Sequence, residues 1–266
     1  MTRPILVAGN WKMNHSPQET RAFLQRFLTQ ELPEGIEVVI CPPFTSLSVL
    51  YEAFQNLPAV RRASLSIGAQ NLHWADKGAY TGEVSPLFLK AWGVSYVIVG
   101  HSERRTLMGE TDQQVARKVA AAFAHGMVPI LCVGEDREER DRGQTEEKVL
   151  RQVQAGLEPL RPEQAGQMVV AYEPIWAIGS GRTPTPGEIS QVLGSIRRHV
   201  ASRFGREVSE RLRLLYGGSV DPENISSLIG EQEVDGVLVG GASLDPERFL
   251  QIIQRSKSSE KRRGNQ

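Results

Sequence analysis

Three side chains in this sequence have the type and setting for proton chemistry on a small anion. Glu173 ends an apolar run, Met168 to Tyr172, and is followed at once by Pro174. The proline disfavours helical backbone at Glu173 and so fixes the base of the next segment. That segment, Ile175-Trp176-Ala177-Ile178-Gly179-Ser180-Gly181-Arg182-Thr183, reads as a loop with an apolar underside and a flexible Gly-Ser-Gly tip. A carboxylate at a strand end beneath an apolar lid is a shielded general base. Taken alone, the segment equally describes a surface loop with an incidental glutamate. His101 and Lys12 also follow apolar runs. His101 suits an electrophile or proton shuttle, and otherwise a structural hydrogen-bonder. Lys12 supplies a fixed positive charge or is merely solvated. Glu103 is Lys12's ionic partner or an exposed charge; the nearby Arg104 and Arg105, which also need acceptors, favour the first. Of the other histidines, His15, His73 and His199 read as exposed, and His125 as part of a helix's last turn.

The glycines point to the substrate. Gly217-Gly218-Ser219 and Gly240-Gly241 end the last two apolar runs, and Gly179 lies in the loop after the sixth. Lacking Cβ atoms, such segments bring backbone N–H groups close to a phosphate, and a following helix adds its positive end. No metal-ligand spacing and no cofactor motif occurs, so neither a metal nor a cofactor is expected. One carboxylate base, one histidine and a phosphate cradle suggest proton transfer beside a carbonyl.

The elements that position these residues are eight apolar runs about thirty to forty residues apart: Ile5–Gly9, Ile36–Cys41, Leu65–Gln70, Ser95–Val99, Val128–Val133, Met168–Tyr172, Leu212–Tyr216 and Gly236–Val239. They are continuous in apolar character, as strands buried on both faces must be. Amphipathic helical stretches lie between them. The clearest starts at Thr111-Asp112 and stops at His125-Gly126; Gln144 to Leu157 and Glu188 to Val200 are similar. Repeated strand–helix units of this number predict a closed (β/α)8 barrel of parallel strands with outer helices. An open doubly wound sheet is disfavoured, since no G-x-G-x-x-G follows the first strand. In a barrel, the reactive residues above gather on one rim, the carboxyl ends of the strands.

Composition narrows the class. Basic and acidic residues balance at 31 each, which makes no case for nucleic-acid binding. Arg255 to Gln266 hold five basic residues and one acidic, leaving about −4 on the rest. One catalytic domain, 1–255, followed by a basic, disordered tail, 256–266, is therefore expected. No run reaches membrane-spanning length and the amino end lacks signal-peptide organisation. Cys41 and Cys132 read as small core residues, and together these features predict a cytoplasmic protein.

Six motifs in order carry a family resemblance: Asn10-Trp11-Lys12-Met13-Asn14, Gly78-Ala79-Tyr80-Thr81-Gly82-Glu83, Gly100-His101-Ser102-Glu103-Arg104-Arg105, the Ala171–Thr183 segment, Tyr216-Gly217-Gly218-Ser219-Val220 and Leu238-Val239-Gly240-Gly241-Ala242-Ser243. From Ala8 to about Ile253 the chain resembles the triosephosphate isomerases. That resemblance implies interconversion of dihydroxyacetone phosphate and glyceraldehyde 3-phosphate through an enediolate, in glycolysis and gluconeogenesis. It assigns Glu173 as base, neutral His101 as proton shuttle, the family's familiar arrangement, and Lys12 and Asn10 as charge and hydrogen-bond donors. It gives Gly179, Ser219, Gly240 and Gly241 to the phosphate, and Ser102 and Glu103 to support of the catalytic groups. It makes Pro174 to Thr183 a closing lid. It also implies a homodimer in which the loop of residues 71–83, with Tyr80 and Thr81, inserts beside the partner's Asn10 and Lys12. Pro184 stands where alanine is common in the family, and should stiffen the lid's distal hinge. A four-carbon sugar-phosphate isomerase of the same family is the nearest alternative; a non-catalytic barrel scaffold is another.

Overall fold

The computed structural model describes residues 3–178 and 183–263, with side chains described up to residue 257. The expected lid residues Gly179, Ser180, Gly181 and Arg182 lie outside the described residues. Eight strands form in the order anticipated: β1 (Ile5–Asn10), β2 (Ile36–Cys41), β3 (Leu65–Ala69), β4 (Val94–Val99), β5 (Val128–Val133), β6 (Val169–Tyr172), β7 (Arg213–Tyr216) and β8 (Gly236–Val239). All pair in parallel with their sequence neighbours, and β1 pairs with β8 to close the barrel.

Closure explains the unbroken apolar runs. Leu6 and Ala8 of β1 fill the barrel interior with Val39, Ile98, Ile130 and Ala171, whereas Ile5 and Val7 belong to a second layer beneath the helices. Successive residues point to opposite faces, and both faces are dry. Cys41 and Cys132 are free thiols buried in the interior cluster. The amino end of the barrel is closed by polar groups. Arg213 Nη1 donates to Glu37 at 2.6 Å, and the Tyr96 hydroxyl donates to the same carboxylate at 2.6 Å. Burial pushes the Tyr96 pKa up to about 12.

Among the described residues eight principal helices wrap the barrel: α1 (Pro17–Phe27), α2 (Leu47–Gln55), α3 (Pro86–Ala91), α4 (Asp112–Ala124), α5 (Thr145–Leu157), α6 (Pro186–Phe204), α7 (Ile225–Gly230) and α8 (Pro246–Arg263). The start of α4 is a reciprocal cap between Thr111 and Gln114, and its stop is Gly126 at φ +67°, as the sequence suggested. One expectation needs correction. His73 is buried, not exposed, because its ring stacks between Trp74 and Tyr80 at centroid distances of 4.2 and 4.1 Å. The last helix has no break at residue 255. Ser256 continues the buried stripe of Phe249, Ile252 and Ile253, its hydroxyl donates to the Ile252 carbonyl at 2.8 Å, and α8 runs on to Arg263.

The barrel holds the β6 exit with backbone on both sides. Glu173 N–H donates to the Val133 carbonyl at 2.8 Å, and Gly217 N–H donates to the Tyr172 carbonyl at 2.8 Å. This approach leaves no room for a side chain at Gly134, where a Cβ would fall 1.8 Å from the Glu173 carbonyl oxygen. Replacing Gly134 by alanine should therefore cost at least about 2 kcal/mol in urea unfolding. Gly187→Ala, in the open first turn of α6, should instead gain about 0.5 kcal/mol. Equal midpoints for the two variants would contradict this account of the β5–β6 approach.

Candidate active site

A cavity of about 410 Å³ opens at the carboxyl ends of the strands, and Asn10, Lys12, His101 and Glu173 line it. These residues lie at the exits of three strands, β1, β4 and β6, whose apolar runs announced them in the sequence, and the glycine loops after β7 and β8 complete the lining.

Glu173 is 2 % exposed. Its Oε1 lies 2.9 Å from His101 Nε2, and its Oε2 accepts the Ser102 N–H at 3.1 Å. His101 caps the short helix Ser102–Leu107, where its Nδ1 accepts the Glu103 backbone N–H at 3.2 Å. An acceptor Nδ1 leaves the proton of the neutral ring on Nε2, facing Glu173. Burial opposes the imidazolium, but the Glu173 carboxylate outweighs it, so the His101 pKa stands above its ordinary 6.5. Burial likewise works against ionised Glu173, and His101 with the Ser102 N–H holds its carboxyl below 4.5. Each shift depends on the other group staying in place.

Lys12 follows a tight turn with φ +53°, which few side chains other than glycine adopt. Its N–H donates to Asn10 Oδ1 at 3.0 Å, and its carbonyl accepts Gln70 Nε2 at 2.8 Å. Gln70 also donates to the Cys41 carbonyl at 3.0 Å, so three strand ends hold the turn. The Lys12 ammonium meets Glu103 Oε1 at 2.6 Å, which makes Glu103 the ionic partner that the crowding of arginines suggested. Arg105 is occupied elsewhere, with the Gly100 carbonyl at 2.7 Å and Asp112 at 2.6 Å. Gly240 packs beside the Lys12 stem, where a Cβ would come within 3.7 Å of Cε. Ser219, Gly240 and Gly241 all line the cavity, on the side of this ammonium. Gly179 falls outside the described residues.

The near half of the expected lid is anchored on a residue that the sequence reading missed. Ile175 N–H donates to the Glu135 carbonyl at 3.0 Å, and Trp176 Nε1 donates to Glu135 Oε1 at 2.8 Å. The Tyr172 hydroxyl reaches the same oxygen at 3.1 Å, and burial pushes the Glu135 pKa up. Arg140 lies over the Trp176 ring at 5.0 Å and pairs with Glu188 of α6 at 2.6 Å. Ala177 is buried, whereas Ile178 turns into the cavity lining. The available signal was Gly134-Glu135 at the carboxyl end of the fifth run, the same rim position as Glu173. Of the far hinge, Thr183 is exposed and Pro184 buried.

Tyr80 and Thr81 are exposed and take no part in the cavity of their own chain. Their loop is rooted by buried His73 and by Ser85, whose hydroxyl donates to the Asp76 carbonyl at 2.5 Å. Trp74, in the same loop, is half-buried against the core, with Arg117 over its ring at 5.5 Å. Among the described residues no helix is long and apolar enough to cross a membrane.

The family model described as Triosephosphate isomerase matches residues 5–256. Triosephosphate isomerase of Dictyoglomus thermophilum is 45% identical over 255 residues, covering 95% of this chain and 99% of the relative. The enzyme of that name from Solibacter usitatus is 47% identical over 254 residues, covering 95% and 99%. That from Carboxydothermus hydrogenoformans is 47% identical over 258 residues, covering 96% and 100%.

The His101–Glu173 geometry makes a prediction with a definite sign. In Glu173→Gln the carboxylate that raises the His101 pKa is gone, and burial remains. NMR titration of the His101 ring should show its midpoint fall in the variant relative to the wild type, with Glu103 still favouring the cation. A midpoint unchanged from the wild type would mean that Glu173 is not the cause.

Proposed function

Because this chain belongs to the triosephosphate isomerase family, we propose that Glu173 and His101 carry the proton transfers of its reaction. The reaction is the interconversion of dihydroxyacetone phosphate and D-glyceraldehyde 3-phosphate. The observation that supports the assignment is one buried carboxylate and one imidazole, 2.9 Å apart, at the floor of a cavity with a glycine wall.

Glu173 takes the proton from the carbon beside the carbonyl and returns it to the neighbouring carbon, through an enediolate. To reach substrate the carboxylate gives up its bonds to His101 and Ser102. It then keeps the burial that disfavours its charge and loses the contacts that stabilised it, so it becomes a stronger base as it meets the carbon acid. The same movement relieves His101 of the carboxylate that favoured its cation. The ring stays neutral, with Nε2–H aimed into the cavity, where it polarises the carbonyl oxygen and moves protons between the two oxygens. A neutral imidazole is the form this family uses. Lys12 and the Asn10 amide offset the negative charge of enediolate and phosphate. The phosphate takes backbone N–H groups from Ser219, Gly240, Gly241 and Gly179. Glu103 holds Lys12 in place while its own N–H fixes the His101 tautomer. The segment from Pro174 to Thr183 closes as the lid, with Trp176 exchanging its hold on Glu135.

A homodimer completes this reading. Met13 is 96% exposed beside Lys12, and Tyr80, Phe88 and Met108 are 47%, 61% and 67% exposed. They follow β1, β3 and β4, on one side of the rim, where apolar exposure of this kind favours an interface. Two buried free thiols support a reducing, cytoplasmic setting.

Two measurements test the reading. In a coupled assay of glyceraldehyde 3-phosphate isomerisation, Glu173→Asp keeps the charge but withdraws it by one methylene, and should lower the rate at least about a hundredfold. A folded wild-type enzyme that is inactive on triose phosphates, but turns over a four-carbon sugar phosphate, would replace the substrate. By sedimentation velocity the wild type should be a dimer at micromolar concentration. Tyr80→Glu, by burying an unpaired charge in the interface, should weaken that dimer by about 3 kcal/mol, over a hundredfold. A monomeric wild type with full activity would remove the dimer from the mechanism.

A further inference from the structure

The cavity contains a cation that none of the roles above employs. Arg248 lines it, together with Lys12 and the Gly240–Ala242 turn. Its placement follows from the local chain. After β8 the backbone passes through Gly240 and the short 3-10 turn Gly241–Ser243, and α8 then begins at Pro246. Asp245 caps the helix start, its Oδ1 accepting the N–H groups of Glu247 at 3.0 Å and Arg248 at 2.9 Å. Arg248 therefore occupies the first turn. Side chains of an α-helix lean toward its amino end, so the guanidinium is directed back over the glycine turn that precedes the helix.

The charges around the cavity are otherwise committed. Lys12 is paired with Glu103 at 2.6 Å. Glu173 faces His101. Asp221, which also lines the cavity, uses Oδ1 to accept the N–H groups of Glu223 and Asn224 at 2.9 and 2.8 Å. Glu247, the neighbour of Arg248, is paired with Arg26 on the far side of the helix. Among the described residues Arg248 has no ion-pair partner, and its side chain is exposed. A guanidinium in that position is available to a phosphate as a charge and as a planar set of donors.

We propose that Arg248 sets the strength of phosphate attraction at this site, as a specificity residue for dianionic substrates. The inference rests on the triose phosphate reading of the cavity. Arg248 follows β8 and the Gly240–Ala242 turn, whereas Glu173 and His101 follow β6 and β4, so its charge acts on encounter and binding and not on the proton transfers. It favours substrates with a doubly charged phosphate over uncharged aldoses or ketoses of the same length. It also makes the enzyme sensitive to inorganic phosphate as a competitor.

The test compares wild type, Arg248→Gln and Arg248→Lys at low and high ionic strength, measuring kcat, KM for glyceraldehyde 3-phosphate and Ki for inorganic phosphate. In Arg248→Gln, KM and Ki should both rise about five- to tenfold at low salt, with kcat changed less than about twofold. The difference should shrink as salt screens the charge, and Arg248→Lys should restore most of it. Unchanged KM and Ki in Arg248→Gln, or a fall in kcat alone, would overturn the inference while leaving the isomerase intact. Failure of the wild type to isomerise triose phosphates would overturn the reading beneath it instead. Thermal unfolding of both variants identifies any loss of fold, which would lower the apparent kcat without raising KM or Ki and so cannot imitate the loss of charge that lysine reverses.

Discussion

A carboxylate 2 % exposed is the constraint around which this rim is arranged. Removing such a group from water costs several kcal/mol unless opposite charge or donors replace the solvent. Here the replacements are the His101 ring and the Ser102 N–H, both delivered by the turn that ends β4. The ring can serve only in one tautomer, which the Glu103 N–H selects from the other side. Glu103 then uses its side chain on Lys12, whose backbone is fixed by Asn10 and Gln70. The chain of dependence runs through four strand ends. The links at Glu173 and His101 are buried, so their loss would leave a buried polar group unpaired, whereas the Lys12–Glu103 pair faces solvent.

The barrel makes that chain possible because every strand delivers its exit to the same rim. Parallel pairing around a closed ring leaves no edge and no choice of partner. The β6 exit is clasped between the Val133 carbonyl and the Gly217 N–H, with Gly134 and Gly217 small enough to let the neighbouring backbones approach. A carboxylate on a loop could find the same partners, but it would also have conformers in which it did not. The opposite rim shows the same economy for another purpose: Glu37, Tyr96 and Arg213 satisfy one another and close the barrel's amino end.

Much of this was legible because burial on both faces leaves a one-dimensional mark. Ile36–Cys41, Val128–Val133 and Gly236–Val239 have in the fold the bounds read from their apolar runs. Residues at the carboxyl ends of the runs are brought together by topology alone, so Asn10, Lys12, His101 and Glu173 meet as the barrel demands. What escaped depends on contacts that spacing does not encode. His73 is buried by two rings of its own loop, an arrangement indistinguishable in sequence from a polar turn. Glu135 precedes Asp136-Arg137-Glu138-Glu139 and so resembled the start of a solvated charge run, although Trp176 and Tyr172 converge on it. The residues after Arg255 lack apolar side chains, yet lysine, arginine and glutamate are good helix formers and simply prolong α8. Arg248 was hidden by its place on the polar side of that same helix.

Glu135 also bears on how the lid works. The near end of the segment is not slack: Ile175 and Trp176 are bonded to Glu135, Arg140 covers the indole, and Arg140 is fastened to the first turn of α6 through Glu188. Glu188 is itself engaged in the reciprocal cap with Thr185, just beyond Pro184. The near hinge is thus tied through Arg140 to the helix that receives the far hinge. Movement of Trp176 must replace bonds to a buried carboxylate whose burial already disfavours its charge. Ile175 and Trp176, held in this way, have a defined position separated from others by bonds that must exchange. That is the property the proposed lid requires, and a freely fluctuating loop would lack it. In the proposed mechanism, binding energy from the phosphate would have a definite task, to offset the bonds lost at Glu135, and would be expressed at Glu173 without touching it.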